Sequence, residues 1–164
     1  MGAHPLLKAF AGGSATPATG TAQDGIWRIS GVDNLTIDGI DLLAENTLNN
    51  ATMEYGYGFF KVSGTDGCQN DSVINCVITL NKVNNVTGAG TSYEGNKGIW
   101  MVNSTSTAPT TALTVTAASG SNSNNRFYCE MYILKNSNFH LSLSIFLLLP
   151  DIPANLCLYY SCFK

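Results

Sequence analysis

The sequence predicts an all-β chain wound as a parallel β-helix, a solenoid of about three coils with long insertions at its turns. Three observations carry that expectation. Short apolar segments rich in Val, Ile and aromatic residues are punctuated by Gly, Asn and Asp, and no helical period shows before residue 135. One strand-like unit, GIWRIS within DGIWRISGVDNLTIDGIDL (24–42), recurs as YGFFKV (57–62) and KGIWMV (97–102). Each copy is followed by a turn and a second apolar segment, and the copies differ mainly in the polar stretches between strands. Stacked coils behave in this way, because only their turns can bulge outward.

Residues 1–23, rich in Gly, Ala, Thr and Pro, read as a lead-in loop, with Leu6, Leu7 and Phe10 as one short strand inside it. Residues 24–135 hold the repeating strands. Aligning the copies on Gly25, Gly58 and Gly98 makes Trp27/Ile29, Phe60/Val62 and Trp100/Val102 the apolar, inward face, and puts Arg28, Lys61 and Met101 on the outer one. The second segments are LTIDGIDL (35–42), SVINCVITL (72–80) and RFYCEMYIL (126–134). Ile37, Gly39, Ile40 and Leu42 then answer to Ile74, Cys76, Ile78 and Leu80 with one residue inserted. Asn34 is expected to stack on Asn70, and Asn75 on Asp38, as amide ladders do in stacked sheets. Length differences fall in the loops 44–56, 82–96 and 103–125, the last with Leu113 and Val115 as a further strand. A β-sandwich is the alternative, but it calls for hairpin turns such as Asn-Gly, and none occurs.

Composition narrows the partners. A chain of 164 residues with 12% charged residues and a net charge of −3 has no basic surface with which to grip nucleic acid. The N-terminus lacks the basic and apolar regions of a secretory signal, so the chain is either cytoplasmic or begins inside a longer one. Five cysteines, without CxxC or His-linked spacing, point to buried apolar residues and one disulfide rather than zinc.

The stretches DGIWRISGVDNLTIDGIDL, EYGYGFFKVSGTDGCQNDSVINCVITLN and ASGSNSNNRFY (118–128), within a run from Leu7 to Tyr132, resemble the right-handed parallel β-helix, pectin-lyase-like repeat regions of large bacterial secreted and surface proteins. Many of those end in a type IX secretion sorting tail. The resemblance implies a fragment of an extracellular or cell-surface protein with a structural or adhesive role and weak carbohydrate recognition by its loops. Part of a polysaccharide lyase or glycoside hydrolase is the alternative it leaves open, and a non-functional gene fragment is another. Residues 136–164 depart from the pattern with a Leu- and Cys-rich composition, and read as a frameshifted or disordered tail. Its apolar run stops at Pro150, short of the roughly 20 residues a membrane span needs.

No catalytic residue is assigned. His4 lies in the lead-in and His140 in the tail, and Asp38 and Asp41, three apart, face opposite sides of an extended strand. The candidates for sugar contact are the aromatics Tyr55, Tyr57, Phe59 and Tyr93 beside the loops and a basic row of Arg28 and Lys61; docking of the loops, or a solvated face, accounts for the same residues. No cofactor is expected. Asp33, Asp38 and Asp71 are the residues that would supply calcium ligands, and turn formation explains them without a metal. The expected partners are a polysaccharide or cell-surface glycan, and further copies of the chain through exposed end strands.

Overall fold

The structure, a computed structural model, describes residues 4–9, 25–44, 55–81, 97–109, 111–134 and 142–148. These form nine strands and one short 3-10 turn at Ala118–Gly120: β1 (Leu6–Lys8), β2 (Gly25–Ser30), β3 (Thr36–Asp38), β4 (Asp41–Leu43), β5 (Tyr55–Phe60), β6 (Ser72–Asn81), β7 (Lys97–Met101), β8 (Arg126–Leu134) and β9 (Ser142–Leu148). The chain is all-β. Two sheets, parallel except at β9, take the strands alternately: β2, β5 and β7 form a three-stranded sheet, while β1, β4, β6 and β8, with β3 beside β6, belong to a six-stranded one completed by the antiparallel β9. Each pass of the chain thus lays one strand in the smaller sheet and the next in the larger: first β2 to β4, then β5 to β6, then β7 to β8.

Between the sheets lies the main core, with Ile29, Tyr57, Phe59 and Met101 from one side and Ile37, Leu42, Val73, Ile78, Leu80 and Phe127 from the other. Phe59 and Phe127 meet across it with ring centroids 5.2 Å apart. Removal of this apolar area from water is the main stabilising term.

The register differs from the glycine alignment. Gly25 pairs with Tyr55, and Tyr55 with Lys97, so Ile29, Phe59 and Met101 share one row. Met101 therefore points inward. Phe60 and Trp100 stand on the opposite face, where they form a second buried cluster with Tyr55, and Val102 packs against it. Val62 is 55% exposed. The reason is that Gly25 and Gly58, both set against the Tyr55 ring, stand in different rows of the sheet. A Cβ on Gly58 would come within 2.5 Å of the Tyr55 ring and 2.6 Å of the Phe60 ring, so this glycine is the floor under the second cluster rather than a repeat marker.

The second segments fall where the sequence places them, but their register needs no insertion between the first two passes. Ile37 pairs with Val73 and Leu42 with Ile78. LTIDGIDL is broken into β3 and β4 by Gly39, whose φ of +67° few other residues adopt. That break cancels the strand alternation, and Asp38 and Asp41 both lie opposite the inward Ile37 and Leu42. Leu113 and Val115 form no strand; the Leu113 N–H donates to the Asn103 carbonyl at 2.8 Å within an irregular loop.

At the turn between the sheets, Asn34, Asn70 and Asn124 repeat the left-handed backbone with φ of 60°, 57° and 60°. Asn tolerates this conformation better than other non-glycine residues. Asn34 and Asn70 share this backbone position in successive passes, their N–H groups donating to the Gln69 and Ser123 carbonyls, and the expected pairing of Asn75 with Asp38 is present, Nδ2 donating to Oδ1 at 2.8 Å. Cys76 and Cys129, facing partners on β6 and β8, form a disulfide with Cα atoms 4.7 Å apart. Cys68 is buried and free. Of the Leu-rich tail, Ser142–Leu148 pairs antiparallel with β8 and covers that edge; Phe10 and the 11–22 stretch lie outside the described residues.

Candidate functional site

Strand alternation on β8 turns Phe127 and Cys129 toward the core and leaves Arg126, Tyr128 and Glu130 exposed on the other side. Tyr128 is 52% exposed, a large ring flanked by the exposed Arg126 and Glu130 of its own strand. Its register neighbours are Ile74 on β6 and, one strand further, Asp38 on β3. Arg126 continues the row of Ser72 and Thr36. With parallel strands about 4.8 Å apart, these side chains line a shallow strip across the strands.

Beside this strip the acids are held by their neighbours. The Val77 N–H donates to Asp41 Oδ1 at 2.8 Å, and His4 Nδ1 lies 3.1 Å from the same oxygen, a contact that becomes ionic when the ring is protonated. Beneath them, the Tyr57 hydroxyl donates to the Ile40 carbonyl at 2.9 Å. Burial, with a contribution from Asp41, pushes that phenol up to about 12, so it remains a donor at neutral pH. The face therefore offers an aromatic ring, a guanidinium, carboxylates and amides, a set suited to hydroxyl-rich ligands.

The loop aromatics named from the sequence are not at this surface. Tyr57 and Phe59 have 0% exposure within β5 and Tyr55 is buried beside them, so these rings cannot stack on a sugar. Tyr93 lies outside the described residues, as does His140. The basic row is not formed. Arg28 is exposed in β2 opposite Gly58, whereas Lys61 follows β5, is 3% exposed and donates its amine to the Gly120 carbonyl. Burial lowers its pKa. The three aspartates weighed for calcium serve separate places: Asp33 accepts from the Gln69 N–H, Asp38 from Asn75, and Asp71 from the Leu35 N–H. Among the described residues no group of three or more metal-ligating His, Cys, Asp or Glu side chains converges.

The loop after β7 folds back onto the turn after β5. Gly67 N–H donates to Ser119, Thr116 N–H to Gly64, and Gln69 Nε2 to Ala118 and Ser121. This fixes the loop as a lid on the turn, with residues 114–119 exposed along it.

Sequence reading missed Tyr128. The signal is present in RFYCEMY, whose alternation separates Phe127 and Cys129 from Arg126, Tyr128 and Glu130, but the segment reads as a core strand and its outward face carries no motif. Compared with family models, curated proteins and solved structures, the chain matches none. No helix among the described residues is long and apolar enough to cross a membrane.

Proposed function

We propose that this chain is a section of a right-handed parallel β-helix of the pectin-lyase-like kind, part of a secreted or cell-surface protein with a structural or adhesive role, and that it holds polysaccharide on the outer face of its six-stranded sheet. The observation that supports the reading most is the alternation of the chain between two parallel sheets, each pass in register with the one before. A disulfide between stacked passes fits an oxidising compartment outside the cytoplasm.

Carbohydrate recognition rests on Tyr128 with Arg126 and the Asp38–Asn75 pair, not on the loops. The test is co-sedimentation and glycan-array binding with acidic and neutral polysaccharides, run on the wild type and on Tyr128→Ala. The expected result is binding that Tyr128→Ala weakens about tenfold, the effect of removing an aromatic anchor. Equal binding by the variant removes the site, absence of binding leaves a passive stalk, and depolymerisation replaces the reading with a lyase or hydrolase.

A further inference from the structure

The turn entering the larger sheet has one frame in all three passes. Asn34, Asn70 and Asn124 hold its left-handed position, and side chain to backbone bonds join successive passes at separations of 36 and 54 residues. The place after each asparagine is taken by Leu35, Asp71 and Asn125. Asn125 reaches back with both ends of its amide: Oδ1 accepts from the Asp71 N–H at 2.8 Å, and Nδ2 donates to the Cys68 carbonyl at 2.8 Å. Asp71 repeats the first half of this one pass earlier, with Oδ1 accepting from the Leu35 N–H at 2.8 Å. Its Oδ2 is buried without a hydrogen-bond partner, in a side chain 1% exposed. The carbonyl answering to that of Cys68 in this pass belongs to Val32; it accepts from the Gln69 N–H at 3.3 Å and has a second lone pair to offer. By the equivalence of the two passes Asp71 Oδ2 answers to Asn125 Nδ2; a carboxylate in that place sets oxygen against oxygen, whereas a carboxylic acid copies the amide.

From this geometry we infer that the fold favours Asp71 as the neutral acid, Oδ2–H donating to the Val32 carbonyl, and that its ionisation on raising the pH loosens the clasp between the first and second passes. Burying a charge without compensation is costly, and the group keeps its proton instead. Burial pushes Asp71 from 3.8 up to about 6, against the pull of the Leu35 N–H and with the help of Asp33. The titratable groups facing it are Asp33 on the preceding pass and Cys68 on its own. Burial raises the Cys68 thiol to about 11, so it stays neutral, and Lys61 beyond it is turned to Gly120. Because the folded-state pKa is raised, the stabilisation is complete below about 3.8 and is lost as pH rises through about 6.

The test is urea unfolding of the full chain across pH 4 to 8, for the wild type and Asp71→Asn, with a carbon NMR titration of the Asp71 carboxyl. The wild-type folding constant is expected to fall about a hundredfold across the window, the size a two-unit rise implies. Asp71→Asn, which supplies a permanent donor, should be the more stable protein at pH 7 and should lack that slope. Should the variant fail to fold, the NMR midpoint decides alone: near 6 supports the assignment, below 4 overturns it. Lower stability of a folded Asp71→Asn at pH 7 overturns it too. So does stabilisation of the wild type by calcium that the variant lacks, which would give Oδ2 to a cation.

Discussion

On the outer side of the six-stranded sheet stand Arg126, Tyr128 and Glu130, all exposed; on the outer side of the three-stranded sheet stand Tyr55, Phe60 and Trp100, all buried. The two sheets share one core, yet their outer faces differ: on the smaller sheet Arg28 reaches water while the large rings beside it do not. In the smaller sheet β5 is buried at every residue, from Tyr55 to Phe60. It is an inner layer, apolar on both faces, as parallel strands often are. Its second cluster is held by ring contacts: Trp100 lies 5.2 Å from Phe60 and 5.5 Å from Tyr55, and the Lys97 amine sits 4.8 Å over the Trp100 ring. A strand buried on both sides gives the smaller sheet rigidity rather than accessible surface.

The most severe way to break this contrast is to truncate one large side chain on each outer face. Phe60→Ala should cost about 3–5 kcal/mol, the range for a buried aromatic, and Tyr128→Ala under about 0.5 kcal/mol, both read from urea midpoints. Similar costs at the two sites would mean that the smaller sheet has no buried outer face. Next in size is the cross-link that the larger sheet carries. Replacing Cys76 and Cys129 together by Ser should remove about 2–4 kcal/mol, since the bridge closes a loop spanning 53 residues. Thermal melting with and without reductant checks this, and an unchanged midpoint would place the stability of the stack in side-chain packing alone. The smallest effect belongs to the turn joining the sheets. Asn70→Ala should lose about 1–2 kcal/mol at its left-handed backbone, while Asn70→Gly should stay close to the wild type.

Much of the strand pattern was legible because alternation and turn residues are local signals. RFYCEMYIL and SVINCVITL become β8 and β6 almost residue for residue, and Leu6 and Leu7 do open a strand. The register was not legible, and the cause is physical. Gly25 and Gly58 both lie against the Tyr55 ring, yet they occupy different rows, Gly25 beside Tyr55 itself and Gly58 beside Arg28 and Trp100, so one ring calls for two glycines that are not equivalent in the repeat. An alignment on glycines assumes that one local cause acts in every copy. The candidate site shows the same limit. Tyr57 and Phe59 look like loop aromatics in EYGYGFF, and only the pairing of β5 between β2 and β7 turns them into core. Asp71 reads as a turn former, but its carboxyl accepts from the Leu35 N–H of the preceding pass, 36 positions away in sequence, and that contact and the burial of Oδ2 follow only from the stacking of the passes.

The bridge between Cys76 and Cys129 has a topological consequence. It closes a covalent ring through β7 and the long loop behind it, and the outward stretch 114–119 lies inside that ring. Exposed loop segments are where proteases cut. A single cut there leaves both pieces attached to each other, so the strand that carries Tyr128 stays tethered to its neighbour even after the backbone has been severed.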